Sequence, residues 1–225
     1  MIGLIAAMPE EINAITRRMD TVSSRTVGKV EFRSGKLKDE QIVIALSGVG
    51  KVNAAIASTL MCQLYQPSLL ISIGVAGGLK QEQNVGDVVI SDCAIQADFD
   101  TSPIDGPDGI GLRFDVDEET LSRASKAADL SGLTWWKGAI ATQDLFMANP
   151  KDFERLMNLF PQSACSEMEG AAVAQVAHVF NIPFLILRAL SDVVVHEGNP
   201  MEFSAFAQSS SDVIASYLET FCTLA

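Results

Sequence analysis

The chain has 225 residues, with 28 acidic and 16 basic side chains and a formal net charge of −12 at pH 7. This acidity argues against nucleic acid or an anionic membrane surface as partner, because both attract basic patches. Hydrophobic residues make up 48% of the chain, which excludes a disordered protein. The mean hydropathy of +0.24 is high for a small monomer and hints at a buried oligomer interface.

The first apolar segment, Met1–Met8, has no basic leader and runs directly into Pro9-Glu10-Glu11. This pattern predicts a buried strand, not a signal peptide. The apolar stretch Leu69–Leu79 is about half the length of a membrane span and contains glycines. We therefore expect a cytoplasmic protein without a transmembrane helix.

Short apolar runs alternate along the chain with longer segments of helical periodicity. Several strand candidates are apolar on both faces, as in central strands covered by helices. The strand candidates are Ile2–Ala7, Val27–Lys38 (a strand or hairpin arm), Gln41–Ser47, Leu69–Gly74, Asp87–Ile95, Gly138–Thr142 and Pro183–Leu190. The helix candidates are Pro9–Met19, Val52–Tyr65, Glu118–Asp129, Lys151–Leu159, Glu169–Phe180 and Ser204–Thr223. No linker interrupts this alternation, which predicts one α/β domain over residues 1–225, with a mixed or mainly parallel central sheet flanked by helices in three layers, α/β/α.

The segment Asp98–Glu119 departs from this pattern because it is rich in acidic residues, proline and glycine. Such a composition predicts a long surface loop. The loop is either a solvated connection or a flap over a site or subunit contact, and the sequence does not decide between them.

Two glycine-rich segments invite comparison with phosphate-binding loops. Gly48-Val-Gly50-Lys51 completes neither the dinucleotide fingerprint nor the Walker A motif, because Asn53 takes the place of the third glycine and no GK[ST] ending follows. Gly74-Val-Ala-Gly-Gly78 follows an apolar strand at the sheet edge where ligands bind in open α/β folds. Taken alone, this second segment is best interpreted as a tight turn.

Cysteines and histidines give no sign of a metal or disulfide site. The four cysteines are scattered without a CxxC pair and lie within or beside apolar stretches, which favours free buried thiols. The two histidines have no metal-ligand spacing, so we expect no metal and no cofactor.

Three carboxylates stand out because of their apolar or sheet-edge context. Glu11 lies one helical turn after the first strand, Glu169 begins a helix of small residues, and Asp192 follows the apolar strand Pro183–Leu190. Each on its own could cap a helix. If they converge, burial would raise their pKa values towards working pH and allow acid/base chemistry.

Seven short blocks, none specific alone, occur in an order and spacing that cover the whole chain. They are Ala7-Met-Pro-Glu-Glu11, Ser47-Gly-Val-Gly-Lys-Val52, Gly74-Val-Ala-Gly-Gly-Leu79, Val85-Gly-Asp-Val-Val-Ile-Ser-Asp92, Gln143-Asp-Leu-Phe-Met147, Ser166-Glu-Met-Glu169 and Arg188-Ala-Leu-Ser-Asp192. Together they resemble the 5′-methylthioadenosine/S-adenosylhomocysteine nucleosidases of the purine nucleoside phosphorylase superfamily. The resemblance implies a nucleoside phosphorylase-like fold and hydrolytic release of adenine from a 5′-substituted adenosine.

The resemblance also implies site roles. Glu11 would activate the attacking water, Glu169 would bind the ribose hydroxyls with the backbone of Met168, and Asp192 would protonate adenine N7. Phe146 would stack on the base and the Met147 main chain would read its edge, while Gly77 would offer backbone beside the ligand. Apolar walls would come from Met8, Val49, Met168 and Phe203. The family pattern further implies a cytoplasmic homodimer acting in methionine salvage and nucleoside catabolism.

Water is the expected nucleophile because the glycine segment lacks the arginine and serine with which related phosphorylases hold phosphate; Val75 stands at the serine position. That serine is also usual in the nucleosidases, so Val75 is a departure, as are Ala97–Thr101 and His196–Pro200. These departures leave the 5′-substituent open among methylthioadenosine, S-adenosylhomocysteine, 5′-deoxyadenosine and aminofutalosine-like nucleosides. Two alternatives are a non-catalytic nucleoside-binding domain and a purine nucleoside phosphorylase.

Overall fold

The apolar runs of the sequence form a mixed β-sheet with helices on both faces, as predicted. The computed structural model describes the backbone of residues 1–147, 149–195 and 202–224, and the side chains of all of these except 202–208. Within these residues the strands are β1 Ile2–Ala6, β2 Asp20–Val27, β3 Val30–Leu37, β4 Glu40–Leu46, β5 Leu69–Gly78, β6 Val88–Asp100, β7 Ile110–Asp115, β8 Trp135–Thr142, β9 Ser163–Glu167 and β10 Phe184–Val193.

The helices are α1 Pro9–Thr16, α2 Lys51–Tyr65, α3 Ser102–Asp105, α4 Glu118–Ser131, α5 Pro150–Leu159, α6 Gly170–Phe180 and α7 Glu202–Phe221, with a short 3₁₀ turn at Gly106–Gly109. Helices α2 and α6 pack together on one face of the sheet, and α7 packs against α1 and α4 on the other. None of the helices within the described residues has the length and apolarity needed to cross a bilayer.

The sheet runs in the order β10-β6-β8-β9-β5-β1-β4-β3-β2, and β10 pairs with β5 as well as with β6. The strands β10, β6, β8, β9 and β5 therefore close into a ring, from which β1 to β4 extend. Pairing within the ring is mixed, because β10 is parallel to β5 but antiparallel to β6. The strands β1 and β10 are almost wholly buried, as expected for apolar runs covered on both faces.

The prediction of a long loop at Asp98–Glu119 is wrong. Strand β6 continues to Asp100, and β7 returns antiparallel to it after α3 and the 3₁₀ turn. The acidic, glycine-rich composition predicted a loop, but Ile110–Asp115 forms a partly exposed strand that pairs with β6 at the sheet margin. The segment therefore contains an ordered β-return.

The turn interpretation of Gly74–Gly78 is also wrong, because β5 runs straight through these glycines to Gly78. Here the neighbouring strands override the local glycine signal: Gly77 and Gly78 pair with Asp192 and Val193 on one side and with Ser166 and Cys165 on the other. The sequence did not predict strands β2 and β9. The hairpin arm that it predicted at Val27–Lys38 is strand β3, which pairs with β2.

The four cysteines are free and buried, as the sequence favoured. Burial raises the pKa of each thiol, which for Cys93 reaches about 12. These thiols are therefore protonated at neutral pH and behave as small apolar core side chains.

Candidate active site

A pocket with an empty volume of about 790 Å³, which includes space open to solvent, lies where β5 and β10 end. Nucleoside-sized ligands fit pockets of this order. Nine of the ten residues that the sequence predicted for the site line it: Met8, Glu11, Val49, Gly77, Phe146, Met147, Met168, Glu169 and Asp192. The side chain of the tenth, Phe203, lies outside the described residues, as does the segment His196–Pro200.

Glu11 is held at the start of α1 by backbone donors. One carboxylate oxygen accepts hydrogen bonds from the N–H groups of Ala7, at 2.8 Å, and Met8, at 2.9 Å. The other accepts from the Val75 N–H at 3.3 Å. Burial raises the pKa of Glu11, and these backbone hydrogen bonds and the charge of Arg188 offset part of that rise. The side chain is thus fixed in orientation and has an increased affinity for a proton.

Gly74 makes room for this carboxylate. A Cβ atom at position 74 would lie 2.6 Å from Oε1 of Glu11, closer than any stable contact. A glycine therefore allows β5 to pass directly beneath the carboxylate, and this explains one of the glycines in the segment that resembled a turn.

Glu169 is the residue that precedes α6, immediately after β9. Its Oε1 accepts a hydrogen bond of 2.8 Å from the Gly50 N–H at the start of α2. Burial, together with the negative charge of Glu167, raises the pKa of Glu169 to about 7. Glu169 therefore titrates near neutral pH at the pocket wall.

Beneath Glu169 lies an ion pair between Glu167 and Arg188, whose side chains are each only 1% exposed. The Glu167 carboxylate also accepts hydrogen bonds from the Thr142 hydroxyl and from the N–H groups of Glu169 and Gly170. Arg188 reaches Ser72 at 2.9 Å and stands 3.9 Å from Glu169. This pair fixes the start of α6 and compensates buried negative charge around the pocket.

Glu167 and Arg188 stand within the matching sequence blocks, but the sequence assigned no role to either residue. A signal was present, because Arg188 interrupts the apolar run Phe184-Leu-Ile-Leu187. A charged side chain in a strand buried on both faces requires a charged or polar partner. The sequence could not identify Glu167 as that partner.

Asp192 lies inside β10 rather than after it, and a β-bulge determines its direction. The register with β5 shifts between Leu190, opposite Ala76, and Asp192, opposite Gly77. The bulged residue, Ser191, is fully buried and donates a 2.8 Å hydrogen bond to Oδ1 of Asp192. Burial raises the pKa of Asp192, and this hydrogen bond offsets part of the rise.

The opposite wall comes from the segment after β8. Phe146 is 49% exposed at the pocket rim, whereas Met147 packs against the small apolar cluster that includes Leu156 and Phe160. A half-exposed ring beside a pocket is available to stack on a flat ligand. This wall therefore presents the accessible ring of Phe146, and the packing of Met147 against the apolar cluster fixes the chain beside it.

The glycine segment Gly48–Lys51 leads into helix α2, and two of its backbone N–H groups donate hydrogen bonds to protein carboxylates. The Gly50 N–H donates to Glu169, and the Lys51 N–H donates to Asp144 at 2.8 Å. Helix N-termini attract anions, and here two protein carboxylates satisfy that preference. The start of α2 is therefore hydrogen-bonded both to Glu169 in one pocket wall and to Asp144, which precedes the opposite wall.

Comparisons with known proteins agree with this geometry. The profile of the phosphorylase superfamily matches residues 1–223. A 5′-methylthioadenosine/S-adenosylhomocysteine nucleosidase from Bacillus subtilis (strain 168) is 36% identical over 215 residues, covering 93% of each chain. The chain belongs to this nucleosidase family.

Solved structures extend the match to the whole fold. The nucleosidase of this family from Neisseria meningitidis, in complex with methylthio-immucillin-A, aligns with a TM-score of 0.92 at 31% identity and covers 98% of this chain and 97% of that chain. Futalosine hydrolase of Helicobacter pylori aligns with a TM-score of 0.90 at 29% identity, covering 98% and 96%. The nucleosidase fold thus extends over 98% of this chain. Val75, which stands where a serine is usual in the family, lines the pocket.

Proposed function

We propose that the protein hydrolyses the N-glycosidic bond of 5′-thio-substituted adenosines, namely 5′-methylthioadenosine, S-adenosylhomocysteine or a close analogue, and releases adenine. The observation that carries the proposal is the convergence of Glu11, Glu169 and Asp192 on one pocket whose remaining wall is largely apolar. Cleavage of such a bond passes through an oxocarbenium-like ribosyl cation, which surrounding carboxylates stabilise.

Asp192 acts on the leaving group. Adenine leaves poorly as an anion, so the bond between C1′ and N9 breaks readily only when N7 takes up a proton. Burial raises the pKa of Asp192, so its carboxyl holds a proton more readily than an exposed aspartate would, and the Ser191 hydroxyl fixes its orientation. The electron pair of the broken bond then stays on the protonated base.

Glu11 acts on the nucleophile. The water oxygen bonds to C1′ as the carboxylate takes one of its protons, and the ribosyl fragment gains a hydroxyl group. A base of raised pKa holds that proton more firmly than an ordinary surface glutamate would. The backbone hydrogen bonds from Ala7, Met8 and Val75 keep the accepting oxygen in place.

Glu169 binds the ribose hydroxyls in this proposal, with the backbone of Met168 beside it. An ionised carboxylate accepts two hydroxyl hydrogen bonds and faces the developing positive charge of the sugar. Arg188 and the Gly50 N–H stabilise the ionised form, opposing the effect of burial.

The remaining walls hold the two ends of the nucleoside. Phe146 stacks on the base, the Met147 main chain reads its edge, and Gly77 offers backbone where a side chain would meet Asp192 at 3.3 Å. The ribose and 5′-thio group lie against the apolar wall of Met8, Val49 and Met168, to which the family pattern adds Phe203, whose side chain is outside the described residues.

Hydrolysis is favoured over phosphorolysis by the charges of the pocket. Among the pocket-lining residues within the described chain, the ionisable side chains are the acids Glu11, Glu167, Glu169 and Asp192. The nearest buried cation, Arg188, is paired with Glu167. A phosphate dianion would meet carboxylates instead of the arginines that usually bind it, so water is the nucleophile that we propose.

The test is adenine release in phosphate-free buffer from methylthioadenosine, S-adenosylhomocysteine, 5′-deoxyadenosine and aminofutalosine. We expect turnover of at least one 5′-thio nucleoside without phosphate. Turnover that appears only after phosphate is added would instead identify a phosphorylase. Tight nucleoside binding with no release across the panel would identify a non-catalytic binding domain.

We further propose that the protein acts in the cytoplasm, as a homodimer, in methionine salvage, without a metal or cofactor. Four buried free thiols suit a reducing compartment. Exposed apolar side chains on α2, next to the pocket, suit a subunit contact.

A further inference from the structure

Lys51, Asp98 and Asp144 form a closed set of contacts beside the pocket, which we term the latch. One oxygen of Asp98 lies 2.6 Å from the Lys51 ammonium, and the other accepts a 2.9 Å hydrogen bond from the Asp144 N–H. The Asp144 carboxylate accepts a 2.8 Å hydrogen bond from the Lys51 N–H. Each member therefore contacts the other two.

The latch joins the start of α2 to the paired strands β6 and β8. Asp98 lies near the end of β6, Lys51 is the first residue of α2, and Asp144 follows β8. The same helix start also donates from Gly50 to Glu169 on the ribose side. The latch thus connects the two walls of the pocket through the N-terminus of α2.

Asp144 directly precedes Leu145–Met147, the segment that carries the aromatic face for the base. Its N–H and carboxylate are both used by the latch, so the direction in which the chain leaves Asp144 depends on Asp98 and Lys51. A shift at Asp144 would move Phe146 and the Met147 main chain away from the base plane. None of the three latch residues lines the pocket itself.

The geometry points to Asp98 as a positioning residue that, through Asp144 and Lys51, holds the segment Leu145–Met147 in place to bind the adenine ring. This inference rests on the proposed function. Its alternative is an ordinary surface ion pair, which contributes little to stability and nothing to base binding. If Asp98 positions the segment, its loss weakens binding of the base. If Asp98 only forms a surface ion pair, its loss leaves that affinity unchanged.

The experiment measures adenine binding by calorimetry, and KM and kcat for methylthioadenosine, in Asp98→Ala. We expect the Kd for adenine and the KM to rise together by about tenfold, with kcat within about threefold, because base contacts act equally in the ground and transition states. Asp98→Asn keeps an oxygen for the Asp144 N–H but loses the charge facing Lys51, and should give a smaller rise of about threefold.

The matched control is Asp100→Ala, two residues further along β6, where the carboxylate is exposed and accepts from the Ser102 N–H at 2.8 Å. We expect this control to keep wild-type Kd and KM. Thermal unfolding of all variants should agree within a few degrees, so that altered base binding is not a consequence of unfolding.

A double-mutant cycle then asks whether Asp98 acts through the segment. In a Phe146→Ala background, Asp98→Ala should add little further loss of adenine affinity, because the stacking face it positions is gone. Losses that simply add, or an unchanged Kd for adenine in Asp98→Ala, would overturn the positioning role. A wild-type protein that binds no adenine would overturn the proposed function and this role together.

Discussion

A single inserted residue gives Asp192 its direction. Strand side chains alternate between faces, so a one-residue shift in register moves a side chain to the other face. Ser191 provides that shift and then hydrogen-bonds the carboxyl that it redirects. One buried serine therefore places the proposed acid and also tunes its pKa.

The substitution Asp192→Asn should remove most activity, because an amide cannot transfer a proton to N7. We expect kcat for adenine release to fall by about 10²–10⁴, the usual contribution of a general acid. Adenine binding and the thermal unfolding midpoint should stay close to wild type. Near-normal turnover would contradict the assigned role.

The substitution Gly74→Ala should lower turnover by displacing Glu11, because the new Cβ would approach Oε1 to 2.6 Å. We expect kcat to fall by at least about tenfold, since an ångström of misplacement is costly at a reacting centre. The matched control is Gly86→Ala, where positive φ brings strain but nothing lies within 4 Å of the Cβ. Equal losses of kcat in both variants would argue against displacement of Glu11.

The sequence predicts which residues belong to the site but not how their side chains are oriented. Nine of ten predicted residues line one pocket because the matching blocks mark their chain positions. The bulge at Ser191, the partner of Arg188 and the latch at Asp98 depend on register and on contacts between distant segments. Such contacts leave no local trace in periodicity or composition.

At the scale of elements, the start of α6 is the most heavily stabilised part of the site. Glu167 binds two backbone N–H groups of that turn as well as Arg188. Burial, the charge of Glu167 and the opposing charge of Arg188 on β10 together give Glu169 a pKa of about 7, so it lies between its charged and neutral forms at neutral pH. Its ionisation is therefore linked to folding.

The stability of wild type relative to Glu169→Gln should fall as pH rises. The pKa of Glu169 is about 7 when folded and near 4.5 when exposed, so between these values the folded state binds the extra proton. The stabilisation is complete below pH 4.5 and lost by pH 7, at no more than about 1.4 kcal/mol per pH unit.

Urea denaturation of both proteins from pH 4.5 to 8 measures this difference, and contributions from groups that do not interact with Glu169 cancel. A difference that stays constant with pH, or that grows in favour of wild type as pH rises, would contradict the assigned shift of Glu169.

At the scale of the whole molecule, one helix beside the pocket exposes adjacent apolar side chains. On α2, Val52 is 70% and Ile56 is 50% exposed, and the apolar surface continues to the pocket rim at Val49. An apolar helix face beside a binding pocket is typical of a subunit interface. The helix sits on the opposite side of the sheet from α4 and α7.

The double substitution of aspartate for Val52 and Ile56 should convert a dimer to a monomer, because it would bury two charges in the contact. Light scattering at micromolar concentration should show twice the chain mass for wild type and half that value for the variant. The matched control, Leu130→Asp, changes a residue 63% exposed on α4 and should remain dimeric. A wild-type mass equal to one chain would refute the dimer.

Alternating apolar and helical segments were enough to predict helices on both faces of a mixed sheet. They did not predict that β10 would pair with both β5 and β6, because nothing in a strand's own sequence names its neighbours. The loop prediction for Asp98–Glu119 was wrong for a related reason. Pairing of β7 with β6 overrode a composition that is typical of loops.

The closed ring has a consequence for local unfolding. Strand β5 is hydrogen-bonded along both edges, and β10 is bonded along one edge to β5 and at Leu187–Ala189 to β6. Within the described residues, β2 at the end of the sheet pairs only with β3 and is exposed along its length. Amide hydrogens of β5 and β10 should exchange with solvent only through near-global opening, and those of β2 through local fraying. Strand β2 can therefore fray while Gly77 and Asp192 stay in register, so the catalytic geometry should survive local openings that expose β2 to a protease.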